Sequence, residues 1–446
     1  MKRLPLLAIA LLAGCASYTP QPLSSESVVL STPVAAVLEK RASAVQRPWL
    51  APVNVDLAAP LTPDAIAAIT VTNDPDLVAQ RTRAGVSDAQ VFAAGLLPDP
   101  TFSTGANSVV SGPDSLLDVS GALGFDLNAL RTRAVRRTEA QAQARSVRLD
   151  LAWAEWQAAG DARLQAVRIE ALDRRLALAR ASQEAAQSLL DRIVRAATRG
   201  DLAASRLQAA RLAVLNANDT LQTAKKNLAA AQAQLLRRLG LPPGTAVRLA
   251  DQGVPDAAPP SSIQLFVLAR ENRPDLAALR QGYAAQEATV HRAVLEQFPN
   301  LTLTLNGQRD SAGNMLVGPA VDFTLPLWNR NRGTIAVERA TRDALQAEYD
   351  ARLFQTRSDI AEAEAGITIA RQRRAKALAG LDELERQAAA SKRAADRGDL
   401  SWDTAQSTLQ ALRDRRMQIV QAEQDLSEQM IALELLTGTP REAWPR

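Results

Sequence analysis

The chain has 446 residues, and its 52 lysines and arginines nearly balance 48 aspartates and glutamates, which gives a formal net charge of +4. Because acids and bases are interspersed along the chain, the sequence offers no basic face of the kind that binds nucleic acid. A single cysteine excludes an intramolecular disulfide, and one histidine with four methionines is too few soft ligands for a metal chaperone.

The first residues have the pattern of a targeting segment. A positive start precedes an apolar run over residues 4–13, which is too short to span a bilayer. The run ends in Leu-Ala-Gly-Cys, which resembles a bacterial lipobox, so we predict that residues 1–14 are a lipoprotein signal peptide and that Cys15 is lipidated. Ala16 follows in place of the aspartate that retains many such lipoproteins in the inner membrane, which favours the outer membrane.

Residues 15–60 contain six prolines, which predict an extended segment with little helix of its own. Thr62 and Pro63 then suit the N-cap and the first position of a helix. This helix, alone or with a second one after Pro75, is expected to continue to Leu97, where prolines end it.

The chain repeats its own plan after about 198 residues. Asn-x-Pro-Asp-Leu at residues 73–77 recurs at 272–276, and Arg-Gly-Asp-Leu at 199–202 recurs at 397–400. This period is far too long for a solenoid. It predicts two copies of one larger unit: helix, strand pair, very long helix, glycine-marked turn and second long helix.

Each copy contains a strand pair with an alternating pattern of apolar and polar residues. The strands are predicted at about 101–110 and 117–128 in the first copy, and at about 300–308 and 316–326 in the second. Each is about as long as a strand that crosses a hydrocarbon core at a tilt, and its two faces suit lipid and water. A half-buried soluble hairpin would share this alternation, but it would have to occur twice beside unusually long helices.

The stretches after each strand pair lack proline and are rich in strong helix formers. They predict helices at about 129–199 and 202–239 in the first copy, and at about 331–397 and 400–437 in the second. The Arg-Gly-Asp-Leu turns then form the tips of antiparallel hairpins, with glycine at the helix C′ position. Helices of this length must coil against neighbours to be stable.

The repeats therefore occupy residues 61–240 and 262–438. A proline-rich linker at 241–261 joins them, and a short tail at 439–446 follows the second. Linker and tail are both expected at the midpoint of the long axis. The fold class is mainly α with a transmembrane β-barrel.

Four strands per chain cannot close a barrel by themselves. In lipid, an open edge leaves backbone groups unsatisfied, and the smallest ordinary barrel has about eight strands. The barrel must therefore be shared between copies. A dimer would give a plugged barrel of about eight strands, whereas a trimer would give about twelve and enough width for a passage.

The sequence lacks the motifs of a catalytic site. We find no phosphate-binding loop, no Gly-x-Ser-x-Gly and no dinucleotide-binding fingerprint. His291 lies in a helical stretch without a second histidine or a cysteine nearby, which favours a surface position over metal ligation. We predict no enzymatic activity, no metal and no cofactor other than the lipid on Cys15.

Together, the duplicated plan, the lipobox, the strand pairs and the sequence Leu-Pro-Leu-Trp-Asn-Arg-Asn-Arg-Gly at 325–333 resemble the TolC-type outer-membrane efflux proteins, particularly their lipoprotein branch. The resemblance implies a homotrimer in which three copies share a twelve-stranded barrel above a periplasmic helical tunnel. It implies a lipid-anchored position in the bacterial outer membrane, in contact with its lipids. It also implies two protein partners, a periplasmic adaptor and an inner-membrane transporter of the RND type.

The resemblance places the hairpin tips where the adaptor docks. The matching residues are Gly200 and Leu202 in the first copy, and Gly398 and Leu400 in the second. Arg199 and Arg397, which precede them, could bind the adaptor, pair with acids across the bundle or form a solvated surface. Some relatives carry gating aspartates a little after each tip, and here Asp399 or Asp403 could serve. For Asp399, the role of N-cap for the returning helix is the favoured interpretation.

The implied function is that of an exit duct in a tripartite efflux pump, which passively conducts small molecules or metal ions from periplasm to exterior. A duct for type I protein secretion is an alternative within the same fold. A periplasmic adaptor lipoprotein is an alternative from another class. It would carry one helical hairpin flanked by segments rich in Val and Gly, whereas this chain has two hairpins and alternating strands.

Overall fold

The computed structural model of the chain describes residues 18–25, 30, 33–113, 116–199, 204–251 and 253–445. The predicted signal peptide and Cys15 lie outside them. The helices are α1 Ala35–Ser43, α2 Pro63–Asn73, α3 Pro75–Gly95, α4 Leu127–Ala197, α5 Ala204–Arg238, α6 Ser262–Asn272, α7 Pro274–Leu295, α8 Arg332–Leu378, α9 Leu381–Arg397 and α10 Trp402–Thr437. The strands are β1 Thr101–Asn107, β2 Asp118–Asp126, β3 Leu301–Arg309 and β4 Met315–Phe323.

The helices begin at residues that satisfy their first free N–H groups. Thr62 accepts from the amide of Ala65 at 3.2 Å, with Pro63 at the first helical position, as the sequence predicts. Ser261 caps α6 in a reciprocal capping box with Gln264. The capping carboxylate of Asp126 starts α4 at Leu127, so β2 ends two residues earlier than the expected 128.

The first long helix is continuous, whereas its counterpart in the second copy is broken. Helix α4 has 71 residues, or about 107 Å at 1.5 Å per residue. The prediction of a single helix over 331–397 is wrong, because Ala379 is extended and Gly380 adopts a left-handed φ of +76° between α8 and α9. The backbone there leaves helical geometry, and α9 restarts at Leu381.

The strands form one antiparallel sheet in the order β1-β2-β3-β4. The two strand pairs, one from each copy, meet where β2 pairs with β3. The strand ends that lead into α4 and α8 lie at one end of the sheet, which we call its base. Among the described residues, no helix combines the length and the apolarity needed to cross a membrane.

The hydrophobic core lies in two clusters, one per copy, at the middle of the long helices. The first packs α1 and α2 against α4 and α5, with buried residues that include Leu50, Ile66, Ile69, Ala162 and Leu239. The second packs α6 against α8 and α10 through Leu265, Ile360, Ile367, Leu426 and Leu433. We call this level the waist of the molecule.

The segment before the first copy is more structured than the sequence predicts. Instead of being extended throughout, it forms helix α1, with Leu38 and Ala42 buried. The linker also pairs with this part of the chain, because Leu61 donates to the Arg248 carbonyl and accepts from the Ala250 amide. The described parts of the N-terminal segment and of the linker therefore belong to the waist.

Candidate functional site

The sheet has one apolar and one polar face, because residues paired across neighbouring strands point to the same side. Leu123, Leu305 and Pro319 lie in register on one face, and Ala122, Asn306 and Gly318 lie in register on the other. The apolar face comprises Phe102, Val119, Leu123, Phe125, Leu301, Leu303, Leu305, Val317, Val321 and Phe323. The polar face carries Ser103, Ser120, Thr302, Thr304, Asn306, Gln308 and Asp322.

The apolar face is open within one chain. Phe102 on β1 is 72% exposed, and Val317 on β4 is 75% exposed. β1 and β4 are also the outer strands, so each has one edge without a partner strand in the described sheet. An exposed apolar face with two free edges is an incomplete surface, because both features favour association.

At the waist of each copy, the end of the second long helix contacts a residue just before the helix that leads to the sheet. These helices are α5 and α3 in the first copy, and α10 and α7 in the second. In the first copy, the Asn73 amide donates to the carbonyls of Leu239 and Gly240 at 2.8 and 2.9 Å. In the second, the Arg273 guanidinium donates to the Leu436 carbonyl at 3.2 Å. The two copies thus form the equivalent contact with different side chains, an amide in the first and a guanidinium in the second.

A buried carboxylate fixes the N-terminal segment to the waist. Glu155 on α4 accepts from Arg47 at 2.5 and 3.0 Å and from Arg81 of α3 at 2.8 Å. Trp49 packs edge-on against Trp156 at 5.0 Å between ring centroids. Burial opposes ionisation of Glu155, but hydrogen bonds and charge from the two arginines outweigh it and hold its pKa below the usual value.

A second buried carboxylate lies in α10 of the other copy. Glu434 is 1% exposed and pairs with Arg163 at 2.7 Å, with Arg441 3.7 Å away. Its Oε1 atom is buried without a hydrogen-bond partner among the described residues. Here burial outweighs the attraction of the arginines, and the pKa of Glu434 is raised.

Of the two hairpin tips, only the one in the second copy, between α9 and α10, lies wholly within the described residues. Gly398 ends α9 with a left-handed φ of +87°, and the Asp399 amide donates to the Ala394 carbonyl at 2.9 Å, which is the geometry expected of a glycine-ended helix. Gly200 and Leu202 of the first copy lie outside the described residues. Arg199 is exposed, and Leu400 is half-buried.

The two candidate gate residues have different surroundings. The prediction that Asp399 caps the returning helix is wrong, because Ser401 is the N-cap of α10 and accepts from the Thr404 amide. Asp399 instead pairs within its own turn with Arg397 at 2.9 Å. Asp403 pairs with Arg206 of the other hairpin at 3.4 Å.

A further contact joins the two hairpins at the same level. The Arg192 guanidinium of α4 lies 3.7 Å from the centre of the Trp402 ring and 3.7 Å from the Asp396 carboxylate. Sequence analysis missed this contact, because its partners are about 200 residues apart and no local pattern joins them. Of the two candidates, Asp403 therefore lies in the cross-hairpin cluster and Asp399 does not.

Comparison with known proteins can now be set beside this geometry. Residues 265–439 match the family model described as outer membrane efflux protein. The second copy is therefore similar to an outer membrane efflux protein domain. The predicted family resemblance is thereby confirmed, although a comparison with curated protein sequences found no match.

The solved structures extend the same fold to nearly the whole chain. Crystal structures of CusC that concern folding and transmembrane channel formation match with a TM-score of 0.68 and 14% identity, over 94% of this chain and 99% of that one. The outer-membrane channel OprN matches at 0.71 and 14%, over 96% and 99%. The Campylobacter jejuni outer membrane channel CmeC matches at 0.68 and 13%, over 95% and 94%. The predicted fold class is confirmed.

The efflux-protein fold contains no group of three or more metal-ligating side chains among its described residues. His291 is exposed on α7, away from the two waist cores. The matched family model is described as an efflux protein and the structural neighbours as channels, not as enzymes. The site consists of surfaces: the sheet, the waist and the hairpin tips.

Proposed function

We propose that the protein is the outer-membrane channel of a tripartite efflux pump, a passive exit duct for small molecules or metal ions. The observation that carries this proposal is the four-stranded sheet, which has an exposed apolar face, a polar opposite face and two unpaired edges. These are the properties of one sector of a membrane barrel, with lipid outside and water inside.

Closure of the barrel sets the number of copies. β4 of one copy would pair with β1 of the next, so that all edges are satisfied. Two copies would give eight strands, whose interior side chains fill, whereas three give twelve strands and leave a lumen. The proposed assembly is therefore a homotrimer, and α4, α5, α8, α9 and α10 continue it as a helical tunnel.

The tunnel tips are the proposed docking site for the periplasmic adaptor, which links the duct to an inner-membrane transporter of the RND type. The contributing residues are Arg199, Gly200 and Leu202, together with Arg397, Gly398 and Leu400. The exposure of Arg199, Arg397 and Gly398 supports this placement, because a docking surface must be accessible. Energy for transport would come from the transporter, since the sequence of the duct carries none of the nucleotide-binding motifs sought above.

Asp403 is the proposed gate residue, in preference to Asp399. Its ion pair with Arg206 joins the two hairpins, so its loss would let their ends separate. Asp399 is paired with Arg397 inside one turn, where it cannot hold the hairpins together. The Arg192–Trp402 contact would close the same end of the tunnel.

Lipid on Cys15 is the proposed anchor in the outer membrane. A single acyl chain binds a membrane only weakly, so the barrel would supply the stable insertion. The alternative of a periplasmic adaptor is disfavoured, because 94–96% of the chain matches structures of channels.

Cross-linking between sheet edges tests the shared barrel. Ser103→Cys on β1 with Ala320→Cys on β4 places thiols on the two free edges and on the polar face. A flexible thiol-reactive linker should join copies into covalent dimers and trimers in the membrane. As a control, Ser120→Cys with Gln308→Cys should link only within one chain, because these residues are paired inside the sheet. Monomers alone from the edge pair would contradict the proposal.

A further inference from the structure

A group of arginines lies below the base of the sheet, where strands become helices. No acid occurs between Asp126 and Glu139 or between Asp322 and Glu338. These two stretches carry Arg131, Arg133, Arg136, Arg137, Arg330 and Arg332. Both copies of the duplicated plan therefore present a positive charge excess at the same level.

Four of these side chains are exposed: Arg131, Arg137, Arg330 and Arg332. We call the three nearest the strand ends, Arg131, Arg330 and Arg332, the basic collar. Among the described residues, none of the three has a carboxylate within ion-pair distance. Arg332 donates to the Trp328 carbonyl at 2.8 Å, and Arg330 and Arg332 make longer contacts with backbone carbonyls. The Arg131 guanidinium donates to the side-chain oxygen of Asn128 at 2.5 Å. The three collar charges are thus held in place without being neutralised.

Two arginines just outside the collar are neutralised. Arg292 pairs with Glu139 at 3.1 Å, and Arg342 pairs with Glu287 at 3.4 Å. Two further acids lie near the base of the sheet. Glu296 also pairs with Arg292, and Asp99 is exposed in the loop before β1. The collar arginines, unlike these two, have no counter-charge within the described part of the chain.

Large apolar side chains surround the collar. Trp328 is 81% exposed, and Leu325, Leu327 and Phe298 are also more than half exposed. The Arg131 guanidinium lies 5.5 Å from the centre of the Phe298 ring. Tryptophan and arginine side by side at the end of an apolar sheet face are the residues expected at a membrane–water interface.

The turn that presents Trp328 and Arg330 has an unusual backbone. Arg330 and Asn331 are the non-glycine residues with positive φ among the described residues, at 48° and 54°. The Asn331 amide fixes the turn by donating to the Ala293 carbonyl of α7 at 2.8 Å. Residues other than glycine adopt such angles at a cost, and they concentrate at sites where the geometry serves a function.

The depth of the collar matches that of lipid headgroups. Arg131 lies five residues beyond the end of β2, or about 7 Å along the helix. The headgroup layer extends roughly 5–8 Å beyond the hydrocarbon core on each side. Arg131 is therefore placed where a phosphate would lie if the sheet spans the hydrocarbon, whereas Arg137, about 16 Å beyond the strand end on the same rise, lies outside this layer.

We propose that the basic collar binds the headgroups of anionic phospholipids in the periplasmic leaflet of the outer membrane, with Trp328 inserted beside them. The proposal rests on the membrane position assigned under the proposed function. It extends that function by naming a lipid class that the channel selects.

Reconstitution into phosphatidylethanolamine vesicles with and without phosphatidylglycerol tests the proposal. The purified protein is re-extracted in mild detergent, and the ratio of the two lipids that remain bound is measured. Wild-type protein should retain phosphatidylglycerol in excess of its share in the vesicle. Each collar arginine removed should lower this preference roughly fivefold, as measured with Arg330→Gln/Arg332→Gln and with Arg131→Gln.

Two controls separate specific binding from general effects. Arg211→Gln/Arg393→Gln removes the same charge from exposed positions on α5 and α9, and it should leave the preference unchanged. Arg330→Lys/Arg332→Lys should retain most of it, because the charge remains. An equal loss in the distant control, or no lipid preference in the wild type, would overturn the proposal. Competition by free inorganic phosphate would identify a phosphate site instead of a lipid site and would also overturn it.

Tryptophan fluorescence gives an independent readout. The difference in quenching by brominated lipid between wild type and Trp328→Phe isolates Trp328 from the other five tryptophans. Strong quenching is expected, and its absence would contradict the placement of the collar. Conductance of the same variants distinguishes this inference from the proposed function: collar variants that lose the lipid preference should still form conducting channels.

Discussion

Replacement of Gly240 by alanine tests whether the contact between the end of α5 and the α2–α3 junction stabilises the waist. Gly240 ends α5 with a left-handed φ of +62°, and a methyl group there would lie 2.2 Å from the Asn73 carbonyl oxygen. Because the obstacle is backbone, the junction between α2 and α3 has to move. That movement breaks the two hydrogen bonds that the Asn73 side chain makes to the end of α5.

The expected loss of stability is the sum of these effects. A left-handed conformation costs a non-glycine residue about 1–2 kcal/mol. Two lost hydrogen bonds add about 1 kcal/mol each. The total is about 3–4 kcal/mol for Gly240→Ala. Gly244→Ala is the matched control, because Gly244 has a φ of +85° but no atom within 4 Å of the added methyl group. It should cost only about 1–2 kcal/mol.

Urea unfolding of the detergent-solubilised protein, followed by far-ultraviolet circular dichroism, compares the two variants. Gly240→Ala should have the lower midpoint and the larger loss in free energy of unfolding. Equal losses in both variants would show that the left-handed conformation alone accounts for the effect. The close contact between α5 and the α2–α3 junction would then have no energetic role.

Three further results are expected. Asp403→Asn breaks the cross-hairpin pair with Arg206, and it should raise the open probability of reconstituted channels up to about fivefold, since exposed ion pairs contribute at most about 1 kcal/mol. Unchanged gating would contradict the gate assignment. Asp399→Asn is the control and should leave the open probability unchanged. Glu155→Gln should destabilise the protein by about 3 kcal/mol at neutral pH. Because the folded-state pKa of Glu155 is lowered, its contribution to stability is present above the unfolded value of about 4.3 and is lost as pH falls through the folded pKa. Urea titrations at different pH values should therefore show this acid-dependent loss in the wild type and not in Glu155→Gln. Cys15→Ala should abolish incorporation of labelled palmitate, and labelling of the variant would disprove the predicted lipidation site.

Local patterns made the strands and their two faces predictable. Alternation of Leu301, Leu303 and Leu305 with polar residues predicts both the strand and its apolar face, and the register in the sheet agrees with it. The two free edges were predictable as well, because four strands are too few to close a barrel within one chain. What alternation cannot specify is the order of the strands, which depends on pairing between β2 and β3 from different copies.

Glycines in helical sequence show why the break in the second copy was not predicted. Gly160 and Gly366 are helical and face Leu435 and Gln429 of α10, and Gly160 allows a close approach. Gly380 has nothing within 4 Å of the position that a Cβ atom would take, but the same is true of Gly85, which stays inside α3. A glycine in the sequence therefore does not by itself predict a break, and the left-handed φ of Gly380 is seen only in the structure.

Charged contacts at the waist and the tip were also beyond local analysis. Glu155 lies 108 residues from Arg47 and 74 from Arg81, so no spacing rule connects them. At the tip, both Asp399 and Ser401 are good capping residues. The glycine-ended turn at Gly398 sets the register, and it places Ser401 at the N-cap.

The most direct test of a shared channel is single-channel conductance in planar bilayers, with the oligomer mass measured on the same purified sample. The proposed function predicts trimers that insert and conduct ions, because three copies close a barrel of twelve strands with an open lumen. Monomers that never conduct would contradict the shared barrel, and they would return the periplasmic adaptor to first place among the alternatives.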